Sequence, residues 1–371
     1  MDEIIYNELS EGDFYEDKLL LAEQKIESAI SDSLIPGLEM LCFRGKKVLL
    51  HKVYGNKQVK PFVEELKLNS IFDVASMTKP IVTATLVMIL MEKGLLSLSD
   101  RVSDYFPEFM GENKDSVSLI HLLTHTSGLP AWHNLYETSK SESEAVDTLL
   151  KLPLEVPPES KVIYSCMGYI LLKLIIELIC AERLDELAKE WIFKPLSMTD
   201  SCFNPDDSIK ARIVPTGYCS WRGRELIAEV HDENCSAFAG IAGNAGLFST
   251  AIDVMKYSNM LLQKGIWDNN RLLLPRTVAL MTEPFFKSLP PRGMGMNMAD
   301  HEFRPCGELF GPRVFGHNGF TGTSFWVDPD RDFGIVMLSN RVHLSYRETA
   351  EAYLLRRMRI HNLIISSLRS V

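Results

Sequence analysis

Apolar residues recur at helical spacing from Leu19 to Ser33 (Leu19, Ala22, Ile26, Ala29, Ile30), and Pro36-Gly37 ends the pattern, so this stretch predicts an amphipathic helix. The period then changes to two. Leu38–Phe43 and Val48–Tyr54 read as strands joined by Arg44-Gly45-Lys46, the turn of a hairpin. After Pro80 the apolar run from Ile81 to Met91 continues towards Gly94 and predicts a buried helix. Tyr169–Ile179 predicts another, set off by an irregular connection containing Pro153, Pro157 and Pro158. Further on, Ser324–Val327 and Phe333–Leu338 flank Asp328-Pro329-Asp330-Arg331-Asp332, a second hairpin. The chain closes on a helix from Arg347 to Leu368, whose Arg356, Arg357 and Arg359 read as a solvated face.

Helix, strands, helical stretch, strands and helix predict an α+β fold. Both ends of the chain would build one antiparallel sheet flanked by the N- and C-terminal helices, and the middle would form a helical insert. The expected division is a sheet subdomain from residues 1–79 and 241–371, a mainly helical insert from 80–240, and an active-site cleft between them. A chain of 371 residues is long enough for two such units.

Charge narrows the partners. Forty-nine acidic against 39 basic residues give a net charge of −10, which argues against non-specific binding to nucleic acid or to an anionic membrane. A small molecule or short peptide is the expected substrate. The acidic N-terminus has no basic segment leading into an apolar one, and the longest apolar runs are too short or too charged for a span of about 20 residues. Seven cysteines (42, 166, 180, 202, 219, 235, 306) without a C-x-x-C pair read as reduced thiols, so the expected compartment is the cytoplasm. No metal or organic cofactor is implied, and the oligomeric state is left open.

Ser76-Met77-Thr78-Lys79 places a hydroxyl and an amine one helical turn apart. That is the layout of an activated serine nucleophile. At a helix N-terminus the unpaired N–H groups would favour a developing oxyanion, and Pro80 is tolerable in a first turn. Lys79 can act as base only if its ammonium pKa falls.

With Tyr164-Ser165-Cys166 and Gly316-His317-Asn318-Gly319 following in order, the chain resembles the serine β-lactamase and penicillin-binding-protein superfamily. It is most similar to the branch holding class C β-lactamases, D-aminopeptidases and esterases. Leu122–Pro130 and Gly243–Thr250 strengthen the likeness, and Val230–Asn234 with Asn340–His343 look like relatives that trim peptidoglycan fragments. The resemblance implies a β-lactamase/transpeptidase-like fold and an acyl-enzyme on Ser76, formed from an amide or ester. It also implies that Lys79 or Tyr164 handles the serine proton, which of the two being open, and that His317 stands in for a strand lysine; as an imidazole it can donate a hydrogen bond near the nucleophile, with a charge that depends on pH. Gly319 would let substrate backbone approach, and the amides of Ser76 and Phe320 would form the oxyanion hole.

Cys166 departs from the family pattern, which has Asn there. A thiol is a weak donor beside a carboxamide. This makes β-lactam hydrolysis a poorer expectation than cleavage of esters, muropeptides or D-amino-acid peptides, and it keeps open a catalytically inactive binding or scaffold protein of the same fold. Other clusters read as structure: His121 and His125 lack a metalloprotease glutamate, Gly240, Gly243 and Gly246 suit a tight turn, and His231–Asn234 a loop cluster. Trp132, His133 and Tyr136 line a cleft or cover the insert, and Met294, Met296 and Met298 with His301 and Cys306 form an apolar wall or a surface loop.

Overall fold

The computed structural model describes residues 5–6, 13–300, 304–345 and 347–369. His301 lies outside them. An eight-stranded sheet organises the molecule: β1 (Ile5–Tyr6), β2 (Gly37–Arg44), β3 (Lys47–Gln58), β4 (Glu64–Glu65), β5 (Asn297–Met298), β6 (Phe315–Asn318), β7 (Ser324–Asp328) and β8 (Phe333–Leu338). The order is β1-β3-β2-β8-β7-β6-β5, with β4 beside β3. Pairing is antiparallel except at β1, which runs parallel to β3. The N-terminal hairpin and the C-terminal strands meet where Cys42 faces Ile335 and Met40 faces Met337.

Both faces of this sheet are covered, and side-chain alternation divides them. Leu38, Met40 and Cys42 of β2, Trp326 of β7 and Ile335 and Met337 of β8 pack on the outer layer of α1 (Glu16–Ser31) and the C-terminal helix. Leu41, Phe43, Phe325, Val327, Val336 and Leu338 point the other way, into the helical region. That region holds α2 (Thr85–Glu92), α3 (Leu119–Leu123), α4 (Cys166–Cys180), α5 (Glu233–Ala237) and α6 (Ala251–Leu262). The last helix, α7, spans Ala350–Ser367 and lies against α1, where Arg356 pairs with Asp32 at 2.8 Å. The predicted helices and hairpins therefore fall where the periodicity puts them, with ends shifted by a few residues.

Three readings change. Arg357 is buried, not solvated, and donates to the carbonyls of Gly322 (3.4 Å) and Thr323 (3.2 Å). Met294, Met296 and Met298 are core side chains, drawn in where Gly295 N–H meets the Leu123 carbonyl at 3.1 Å. The segment Ala75–Glu92, at 18 residues, is long and apolar enough to cross a membrane, yet 83% of it is buried inside the protein as a core helix. All seven cysteines are free thiols.

Trp326 is fully buried between β7 and the outer helices. Trp326→Ala should lower stability by about 3–5 kcal/mol, read from the denaturant midpoint. A loss below about 1 kcal/mol would mean that this layer does not depend on the ring.

Candidate active site

The turn that carries Ser76 is built by Asp73. One carboxylate oxygen accepts from Ala75 N–H at 2.8 Å and the other from His231 N–H at 2.7 Å. This holds Ala75 at φ +48°, a left-handed conformation costly for a side-chain residue and tolerated where surroundings fix it. Burial pushes the Asp73 carboxyl up to about 6, against those two amides. A tight turn (Ala75–Met77) and a wide turn (Lys79–Ala84) then lead into α2. Thr78 and Thr83 tie this segment to the loop before α6, Thr78 Oγ1 accepting from Leu247 N–H (3.1 Å) and Thr83 Oγ1 donating to the Gly243 carbonyl (2.7 Å).

Lys79 is fully buried, and its three N–H bonds have three acceptors: Ser76 Oγ at 3.0 Å, the Asn244 carbonyl at 3.1 Å and Cys166 Sγ at 3.6 Å. The Tyr164 ring lies 4.9 Å from Nζ and the Tyr169 ring 5.7 Å. Desolvation works against the charge, but Cys166, Tyr164 and Asp232 favour it, and the balance holds the ammonium above its ordinary value. The resting lysine is therefore a cation. This reverses the condition stated for a basic Lys79.

Tyr164 and Cys166 flank a helix cap. Ser165 begins α4 by accepting from Gly168 N–H at 3.3 Å, while its hydroxyl donates to the Pro130 carbonyl at 2.7 Å. The cap sends Tyr164 and Cys166 to the same lysine. Burial pushes the Cys166 thiol up, against the pull of Lys79. His125 wedges behind, its Nδ1 accepting from Ser165 N–H at 3.0 Å and its ring 4.5 Å from Tyr164. His121 instead accepts from Ser118 N–H and meets Glu159 at 2.8 Å. The two imidazoles are thus spent on separate structural contacts.

The third motif closes the site from β6. His317 is buried, and its Nδ1 meets the Asn318 carbonyl at 2.8 Å. A carbonyl only accepts, so Nδ1 carries the proton and Nε2 is the free acceptor of a neutral ring. Burial, with Lys79 and Arg292 nearby, holds this imidazole well below its usual range. In this tautomer Nε2 is an acceptor, with the ring 5.9 Å from that of Tyr164, where the sequence left either role open to the imidazole. Gly319 is required for a reason besides substrate approach: a Cβ there would lie 2.5 Å from the Val74 carbonyl oxygen. Thr321 Oγ1 donates to the Asp73 carbonyl (2.8 Å) and Thr323 Oγ1 to that of Val74 (3.2 Å), so the loop after β6 is clamped to the serine turn. Phe320 projects onto the rim, its ring against His231 (5.6 Å) and the Arg341 guanidinium (5.3 Å).

A family model described as Beta-lactamase matches residues 22–357. The chain belongs to the beta-lactamase family. It is 28% identical over 366 residues to an N-acetylmuramyl-L-alanine amidase of Bacillus subtilis (strain 168), covering 88% of this chain and 81% of that protein. It is 30% identical over 349 residues to a protein of Salmonella agona (strain SL483) named "Putative D-alanyl-D-alanine carboxypeptidase", covering 84% and 80% of the two chains. A solved class C beta-lactamase superposes with a TM-score of 0.76 at 20% identity, covering 96% of this chain and 97% of that one. This beta-lactamase-family member is a serine hydrolase with that fold.

Several residues of the site had no role in the sequence reading. Asp73 lies three positions before Ser76, and Asn244 sits inside the quoted glycine phrase. Asn244 links Lys79 to Asp232, donating to Asp232 Oδ2 at 3.1 Å, while Asp232 Oδ1 accepts from Cys235 N–H to cap α5. Arg292 also reaches the Tyr164 ring, and no motif flagged it. NMR titration of the His317 ring should find it unprotonated at pH 6 with the Nδ1–H tautomer; a midpoint at or above the ordinary imidazole value of 6.5 contradicts the burial argument.

Proposed function

We propose that this hydrolase opens an amide or ester bond through an acyl-enzyme on Ser76, acting on peptidoglycan-derived or D-amino-acid-containing peptides or on small esters. The observation that carries the reading is the 3.0 Å contact between Ser76 Oγ and a buried Lys79 whose other N–H bonds are occupied. An ammonium fixed there stabilises negative charge as it develops on Oγ. A charged Lys79 leaves Tyr164 as the carrier of the serine proton. The phenol oxygen takes that proton while its own proton passes to the leaving nitrogen or oxygen, so the relay needs no phenolate. The carbonyl carbon gains its bond to Oγ and loses its bond to the leaving group. Water then repeats the relay in reverse: it gives a proton to Tyr164, which returns one to Ser76 Oγ as the acid departs. The substrate class is supported by the printed activities of the Bacillus and Salmonella relatives.

Ser76→Ala should lose hydrolysis at least about 10³-fold, as removal of a covalent nucleophile does. Intact-mass measurement after exposure to a fluorophosphonate should show one adduct on the wild type and none on the variant; full activity in Ser76→Ala would sink the reading. A second expectation concerns the thiol. Cys166→Asn restores a carboxamide donor beside Lys79 and should raise amide turnover relative to ester turnover roughly fivefold, the worth of one hydrogen bond. An unchanged ratio means that Cys166 does not touch the substrate amide.

A further inference from the structure

Asp232 stands one residue removed from the chemistry. It is half-buried, and both of its oxygens are engaged: one accepts from Cys235 N–H at 2.7 Å, the other from Asn244 Nδ2 at 3.1 Å. Asn244 in turn gives its backbone carbonyl to Lys79 Nζ at 3.1 Å. Its own Oδ1 is buried without a hydrogen-bond partner among the described residues. A carboxamide that leaves its oxygen unpaired so as to aim its nitrogen at a carboxylate is oriented by that carboxylate.

The groups around Lys79 come from several elements. Ser76 lies on its own turn, Cys166 and Tyr169 on α4, Tyr164 just before that helix, His125 after α3 and His317 on β6, with Arg292 across the Tyr164 ring. Burial, with Arg292 and Lys79 nearby, holds both imidazoles well below their usual range, so neither adds charge, and Arg292 is a second cation. Cys166, Tyr164 and Asp232 favour the ammonium, and Asp232 is the carboxylate among them. Asp232 is itself faced by the Asp73 carboxylate, which opposes its charge, and by Arg222, which donates to the Asp232 carbonyl at 3.3 Å and pairs with Glu229 at 3.2 Å. Burial pushes the Asp232 carboxyl up, while the Cys235 amide, Lys79, Asn244 and Arg222 favour its ionised form. A cation withdrawn from water keeps its proton where a fixed anion offsets the lost hydration.

We propose that Asp232 is a positioning residue of the reaction: it orients Asn244 towards Lys79 and supplies the fixed negative charge opposite the ammonium. It touches no reacting atom. Its charge keeps Lys79 a cation that stabilises the developing charge on Ser76 Oγ, and so leaves the serine proton to Tyr164. This rests on the acyl-enzyme reading given above.

The test removes the charge and keeps a helix cap, since Asn and Ser cap helices as Asp does. In Asp232→Asn the unpaired Asn244 Oδ1 can turn to accept from the new amide. NMR titration of lysines isotopically labelled at Cε, with Lys79 assigned through Lys79→Arg, reads the ammonium directly. Wild type should show no Lys79 midpoint below the ordinary lysine value of 10.5. In Asp232→Asn and Asp232→Ser that midpoint should fall by about one pH unit or more, the effect of losing one nearby opposite charge. The alkaline limb of kcat on p-nitrophenyl butyrate should move down with it while KM holds. A merely damaged cap slows hydrolysis alike at every pH and leaves the limb in place. A wild-type midpoint below 10.5, or an unmoved midpoint in a folded variant, would overturn the assignment. The titration needs no substrate, which separates the two readings. A lowered midpoint in the variants with no turnover by wild type removes the hydrolytic reading and keeps Asp232 as the counter-charge of Lys79; turnover with an unmoved midpoint removes the role of Asp232 alone.

Discussion

The charge on Lys79 is the constraint to which the rest of the site answers. A buried ammonium is stable only where each of its N–H bonds finds an acceptor and where nearby groups repay its lost hydration. Here the acceptors come from three distant parts of the chain: Ser76 from its own turn, Cys166 from the first residue of α4, and the Asn244 carbonyl from the loop before α6. Satisfying one cation therefore fixes the mutual positions of the serine turn, the tyrosine motif and the glycine phrase. The Asp232 carboxylate, reached through Asn244, adds a second layer of the same kind.

The sheet delivers the remaining wall by close approach. Strand β6 and the loop after it touch the backbone of Asp73 and Val74, which is why a glycine stands at 319 and why Thr321 and Thr323 hydrogen-bond to those carbonyls. From the outer layer, Arg357 of α7 reaches through to the carbonyls of Gly322 and Thr323. The C-terminal helix thus supports the loop after β6 as well as the core, its arginine sharing the Gly322 and Thr323 carbonyls with the Tyr353 hydroxyl and Gly319 N–H.

A positive lysine and a neutral, proton-accepting histidine give this site a different charge layout from a pair of cations. In the proposed mechanism the proton that leaves Ser76 travels through Tyr164, because a charged Lys79 has no room for it. The thiol at 166 is polar enough to take one N–H of Lys79 and too weak a donor to hold an amide carbonyl firmly.

The sequence by itself determined the elements and the chemistry. Period-two runs at Leu38–Phe43 and Phe333–Leu338 are strands because alternate residues enter two different cores, and Leu19–Ile30 is helical because one stripe must cover that sheet. Ser76 and Lys79 were legible for the same reason: three residues apart on a helix is a local relation. What only the tertiary structure decided is everything that depends on distant neighbours. Arg357 looks like a surface charge until the loop at Gly322 is placed against it, Met294 and Met296 look like loop residues until α3 draws them in, Asn244 shows only as part of a glycine phrase with no role of its own, and Arg292 carries no local signal at all. The protonation of Lys79 and the tautomer of His317 belong to the same class, since desolvation and hydrogen-bond partners are set by packing and not by spacing along the chain.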